Sequence, residues 1–358
     1  MSGGRASRCP ALGLALGLGG AGGALFAALH LPLPWMLGSM VFTTLAAVGG
    51  LPVAVPRTLR QAMLTVLGIL LGCSFTPAIL ERAGAWSVSL AALVPFVALS
   101  TLIGAWLLRR WTGFDRVTAF FTATPGGLNE MVAVGGALGG DERTIALAHS
   151  VRILVVVLVI PVWFQLFGGY RPGARGPLGP DLAALGPVDW LMLLSCLLAA
   201  VPAVRVRLPA AVLLGPMAAS ALLHITGVTA ARPPGLLVAL AQLAIGASIG
   251  CRFAGIPWAS IRRCALAALA LAALMIGLTV AAAALLSGPS GAALSALVLA
   301  FAPGGLAEMS LVALALGIDV AFVSTHHVVR VVLIVAAAPL VFGLDRRRRE
   351  RSRVATAD

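Results

Sequence analysis

PGGLNEM, from Pro125 to Met131, returns as PGGLAEM, from Pro303 to Met309, and each copy sits in an apolar stretch long enough to cross a bilayer. Sliding the first copy by 178 positions, the difference between 125 and 303, matches 17 of the 40 residues from Pro125 to Phe164 without a gap. An internal duplication is the economical reading. Proline removes an amide donor and each glycine costs about 1 kcal/mol of helix propensity, so the step should interrupt a membrane helix in both halves. Freed backbone groups are tolerated at that depth only against protein or a wet cavity. Paired broken helices in corresponding places of two repeats therefore point to a transporter's central site.

The polar residues that recur in register are the candidates for that site. Pro125, Gly126, Gly127 and Glu130 answer Pro303, Gly304, Gly305 and Glu308 and are read as substrate- or ion-binding positions. Each glutamate falls at N3 of a helix restarting after the glycines, where it can cap amides or serve as a titrating or cation-binding group near mid-membrane. Asn129 is matched by Ala307, so any amide contact belongs to the first half, which makes Glu130 the more sensitive acid. His149 with Arg152, and His327 with Arg330, lie three apart on one helical face. An arginine inside an apolar run needs a partner, and Asp141, Asp319 or the glutamates are the expected ones. These six, the two aspartates, two histidines and two arginines, are read as supporting residues.

Composition fixes the class. Hydrophobic residues make up 60% of the chain and charged ones 10%, with a mean hydropathy of +1.04, more apolar surface than a soluble globule can cover. Unbroken apolar runs exclude a barrel, whose strands alternate, and predict an all-α polytopic bundle. All 25 basic residues are arginines and the net charge is +13. They lie between or after the apolar runs, as retention signals for the cytoplasmic face rather than a nucleic-acid surface. Arg5 and Arg8 precede a first run read as an uncleaved membrane helix. The five cysteines show neither zinc nor disulfide-framework spacing, and Cys73 and Cys251, 178 apart, suggest a shared packing slot. No metal or cofactor is expected.

Hydropathy marks twelve segments, six per half, including 117–138 and 292–317 as single segments. The organisation follows as a first membrane repeat over 11–167, a Gly- and Pro-rich connector over 168–186, a second repeat over 187–344 and a basic cytoplasmic tail over 345–358. With twelve crossings, Arg205, Arg207, Arg262 and Arg263 fall on the wrong side of the positive-inside rule. Parallel and inverted repeats both remain open, with inversion preferred in the core.

Two further blocks recur: LPLPWMLGSM (Leu31 to Met40) with LPAAVLLGPM (Leu208 to Met217), and GILLGCSF (Gly68 to Phe75) with GASIGCRF (Gly246 to Phe253). Gly68 with Gly72 and Gly246 with Gly250 give the small-xxx-small spacing of close helix packing. Together with PGGLxEM followed by Asp and HxxR, these blocks resemble the AbrB family of bacterial integral membrane proteins with an internal duplication. That resemblance covers about residues 11 to 344 and implies a multi-pass protein of the bacterial inner membrane. Members often carry the label "putative ammonia monooxygenase", and one is described as a regulator of gene expression. A copper enzyme needs clustered imidazoles and carboxylates, whereas His30 and His224 stand alone here. The expected function is an ion-coupled secondary transporter or exporter of a small solute, driven by H⁺ or Na⁺. Its partners are the lipid bilayer and the solute, not nucleic acid, and a homo-oligomer is compatible with this reading. A membrane component affecting gene expression and a membrane enzyme are the alternatives.

Overall fold

Apolar runs punctuated by Gly and Pro give helices and little else. In the computed structural model, which describes residues 8–170 and 178–355, fourteen main helices fall into two series of seven. The first holds α1 (Arg8–Ala28), α2 (Pro34–Val48), α3 (Arg57–Gly72), α4 (Ser87–Thr112), α5 (Arg116–Ala123), α6 (Leu128–Ala137) and α7 (Glu142–Phe167). The second holds α8 (Pro187–Arg205, bent near Ala199), α9 (Ala211–Ile225), α10 (Gly235–Gly250), α11 (Trp258–Ser290), α12 (Leu294–Phe301), α13 (Leu306–Leu316) and α14 (Val320–Ala355). Arg5, Arg171 and Arg175 lie outside the described residues, as do 356–358 of the expected tail. The rest of that stretch continues α14 as far as Ala355.

Among the described residues, seven helices have the length and composition to cross a membrane, including Ile79–Thr112, Glu142–Phe167, Cys264–Ser290 and Val320–Ala337. The break expected at each PGG step is present. Residues 117–138 and 292–317 do not form single segments, because each is cut at its PGG step into two short helices, α5 and α6 or α12 and α13.

The chain turns back at each step. The Asp141 amide donates to Thr118 Oγ1 at 2.8 Å, His149 Nε2 to the Phe121 carbonyl at 2.8 Å, and Arg152 Nη1 to the Thr124 carbonyl at 3.1 Å. Contacts that advance together along both helices mean that α5 and α7 run parallel. Since α6 lies between them in sequence, it must return to the base from which α5 started. Gly135 of α6, packed against Phe121 and Ile145, marks that return. The second half repeats the arrangement, with His327 Nε2 donating to the Leu299 carbonyl at 2.9 Å and Arg330 Nη1 to the Ala302 carbonyl at 2.6 Å. Each of these partners is 178 residues on from its counterpart.

The inner helices are exchanged between the halves. Gly68 and Gly72 of α3 pack against the backbone of α9 at Leu213 and Met217, while Gly246 and Gly250 of α10 pack against α2 at Met36 and Met40. A Cβ at any of the four would run into that backbone, which is the close approach their spacing predicts. Thr65 Oγ1 donates to the Val212 carbonyl at 3.0 Å and Ser220 Oγ to the Ile69 carbonyl at 2.8 Å across the same seam. The α3 and α10 helices themselves run antiparallel, because Cys73 at the end of α3 donates to the Ala231 carbonyl just before α10. Cys73, Cys196, Cys251 and Cys264 are all free thiols.

Candidate functional site

Proline at position i leaves the carbonyl at i−4 without its helical donor. Pro125 therefore frees the Phe121 carbonyl, and Pro303 frees that of Leu299. Those are the two oxygens that His149 and His327 occupy. A carbonyl cannot donate, so each ring carries its proton on Nε2 and presents Nδ1 as an acceptor. The arginine one turn further on serves the next exposed carbonyl, at the C-terminal end of the incoming helix, where unpaired oxygens and the negative end of the helix dipole attract a cation. The recurring Pro and the recurring His-x-x-Arg are thus one unit: the first strips a helix end and the second covers it.

This geometry replaces the expected ion pairs. Arg152 and Arg330, 1% and 2% exposed, hydrogen-bond to backbone carbonyls rather than to Asp141 or Asp319. The aspartates are exposed helix caps. Asp141 accepts from the amides of Arg143 and Thr144 at 3.0 and 3.3 Å and from the Thr144 hydroxyl at 2.6 Å. That hydroxyl, against the effect of burial and with help from the two amides, holds the Asp141 carboxyl below its ordinary value. Asp319 accepts from the Phe322 amide at 3.0 Å. Such short polar residues start helices because their oxygens satisfy amides that have no partner within the first turn.

Glu130 and Glu308 occupy the first turns of α6 and α13 and fold back over Gly127 and Gly305, so a side chain at either glycine would strike the carboxylate. Both acids are partly buried, but their neighbours differ: Asn129 is exposed and Ala307 is buried. Asn129 thus lies away from the interior where an amide contact was expected. Pro125 and Pro303 are buried, and Gly126, Gly127, Gly304 and Gly305 complete the turns.

Each hairpin packs on the long helix of the other half. α7 packs on α13 and α14 on α6, and the guanidinium groups of Arg152 and Arg330 lie within electrostatic reach of one another. Arg152 stands ten residues into α7, roughly 15 Å from its start, about half of a ~30 Å hydrocarbon layer. A third arginine, which sequence reasoning passed over, joins them. Arg252 follows α10 and sits near His149, Glu308 and Arg60. Its counterpart in the first half is Ser74, so the signal was a departure from the repeat rather than a match. Among the described residues, no three His, Cys, Asp or Glu side chains gather to hold a metal ion.

Fold and site together define a multi-pass helical membrane protein built around two inward-turning hairpins. The chain belongs to the AbrB family: the family described as transition state regulatory protein AbrB matches residues 35–344. It is 26% identical over 351 residues to "Uncharacterized protein YhjN" of Bacillus subtilis (strain 168), covering 92% of this chain and 91% of that one. It is 30% identical over 232 residues to "Putative regulator AbrB" of Escherichia coli (strain K12), covering 64% and 66%. No solved structure matches the chain.

Proposed function

We propose that the chain is an ion-coupled secondary transporter or exporter of a small solute in a bacterial inner membrane. The observation that carries this reading is a pair of helix-breaking hairpins, each with a restarted helix N-terminus and a carboxylate, each covered by a buried arginine from the long helix that follows it, and each packed on the long helix of the other half. Backbone that leaves the helix inside hydrocarbon is costly unless it lines a site, and opposed discontinuous helices from two repeats are how secondary transporters build one.

Topology supports the same reading. We take α1 to α4 and α7, with their five counterparts, as ten crossings and the hairpins as re-entrant. Five crossings per half invert the second copy, in keeping with antiparallel α3 and α10. Arg205, Arg207, Arg262 and Arg263 then join Arg57, Arg60, Arg109, Arg110 and Arg116 on one face. The conflict raised by twelve crossings disappears, and that face is the cytoplasmic one. A regulatory effect of such a protein on gene expression would be indirect, through the level of its solute.

Counterflow in proteoliposomes against a panel of small organic anions, amines and ammonium tests the function. Glu130→Gln and Glu308→Gln then separate a cap from a coupling group, because an amide accepts a hydrogen bond but does not titrate. Both variants are expected to insert and fold while losing the H⁺ or Na⁺ dependence of solute movement, with Glu308→Gln rather than Glu130→Gln the more complete, because Asn129 is exposed and Glu308 lies within electrostatic reach of Arg252. Unchanged ion dependence in the double variant would leave the two acids as caps.

A further inference from the structure

Arg152 and Arg330 lie within electrostatic reach of one another, Arg252 lies within reach of His149 and Glu308, and the hydrogen-bonding capacity of the three arginines is not used up. Arg330 donates to the carbonyls of Ala302 and Gly304 at 2.6 and 2.8 Å and to His327 Nδ1 at 2.8 Å. On the other side, Arg152 has its contact to Thr124, while its Nε is buried without a partner, and so are His149 Nδ1 and Arg252 Nη1. Arg330 Nε is buried and unpartnered as well. His149 Nδ1 is an acceptor, but Arg152 Nε, Arg252 Nη1 and Arg330 Nε are three buried, charged donors left unmade, a costly state that an acceptor would relieve.

Charge gives the same answer. Arg152, Arg330 and Arg252 bring three positive groups, and Glu130 and Glu308 bring two negative ones, with Arg60 adding a further positive charge beside Arg252. The cluster keeps an excess of at least one positive charge in a setting where uncompensated charge is expensive. An ammonium or amine solute would add to that excess, and an anion would cancel it. The restarted N-termini of α6 and α13 favour the same sign.

We propose that Arg152 and Arg252 bind a small oxyanion, a carboxylate or a phosphate, between α7 and the tip of the second hairpin. The proposal rests on the transporter reading only in naming this anion as the solute. Arg252 is the specificity-determining residue, because it is the member that the duplication does not supply twice. Glu308, within electrostatic reach of Arg252, competes with the anion for that guanidinium, so a cation held by Glu308 would favour the anion, and anion and coupling ion become mutually dependent.

The test uses the full chain in nanodiscs, titrated calorimetrically with sodium acetate, sodium succinate, sodium phosphate, ammonium chloride and methylammonium chloride against a sodium chloride control. Saturable binding of at least one of the oxyanions is expected, weakened about tenfold or more by Arg252→Ser, the loss of one charge-assisted contact, and less by Arg252→Lys. Amine binding without anion binding, or an unchanged anion affinity in Arg252→Ser, overturns the site. If that variant does not fold, the wild-type protein decides: the bound anion should shield Arg252 from phenylglyoxal, read by peptide mass spectrometry, and absence of shielding overturns the site. Anion binding without counterflow would remove the transporter and keep the site. Ammonium counterflow without anion binding would do the reverse.

Discussion

The two hairpins share a plan and differ in closure. In the second, Arg330 bonds two carbonyls and the histidine three residues before it, and its tip is buried apart from the partly exposed Gly305. In the first, Arg152 has the single contact to Thr124, His149 Nδ1 is unpartnered and Asn129 is exposed. Each copy keeps one buried, unpartnered arginine Nε, but the second ties its arginine and histidine together and the first does not. Duplication makes this division available: a fixed half can supply the rigidity against which the open half binds and releases.

The sharpest way to break the comparison is to remove each arginine in turn. Arg330→Met should cost about 3 kcal/mol or more, because it strands several buried acceptors at once, whereas Arg152→Met should cost about 1 kcal/mol. Thermal unfolding in detergent, followed by loss of monodisperse protein, checks the difference; equal costs would mean that the halves are not divided in this way. A double-mutant cycle sharpens the account of the Pro and His pair. His149→Ala should cost about 1–2 kcal/mol by removing its bond to the Phe121 carbonyl. In a Pro125→Ala background the new amide can fill that oxygen, so the cost of His149→Ala should fall markedly, and strict additivity would sever the link.

The smallest effect concerns the caps. Asp141→Ala should cost no more than about 1 kcal/mol, its site being exposed, and Asp319→Ala less, since Asp141 has three bonds to lose. The sign with pH follows from the lowered carboxyl of Asp141. Its contribution is fully present above the unfolded value near 4 and disappears as pH falls through the lower folded value. Melting temperatures of wild type and Asp141→Ala should therefore converge below about pH 4.

Much of this was legible in the residues. Helical class, the duplicated breaks and the seams at Gly68, Gly72, Gly246 and Gly250 follow from composition and spacing, because each is a local or pairwise constraint. The reversal at PGG was not legible. A proline that breaks a helix does not say whether the chain continues or turns back; here the direction is fixed by α7, whose histidine and arginine cover the stripped carbonyls of α5. The arginines' partners were misjudged for a related reason. Sequence displays carboxylates and hides carbonyls, so Asp141 and Asp319 looked like the available acceptors although they serve as caps. Arg252 carries no signal in the repeat, because its counterpart is Ser74.

The exchange of α2 and α3 with α10 and α9 also bears on synthesis at the ribosome. The Gly68 and Gly72 face of α3 has no surface to close on until Leu213 and Met217 have been made, some 140 residues later. At roughly 5–20 residues per second, that is an interval of about 7–30 s. Through it the first half must sit in the bilayer as inserted but unassembled helices, its groove occupied by lipid or by an insertion factor. Truncation within the second half should therefore expose the first to membrane proteases rather than leave a working half-protein.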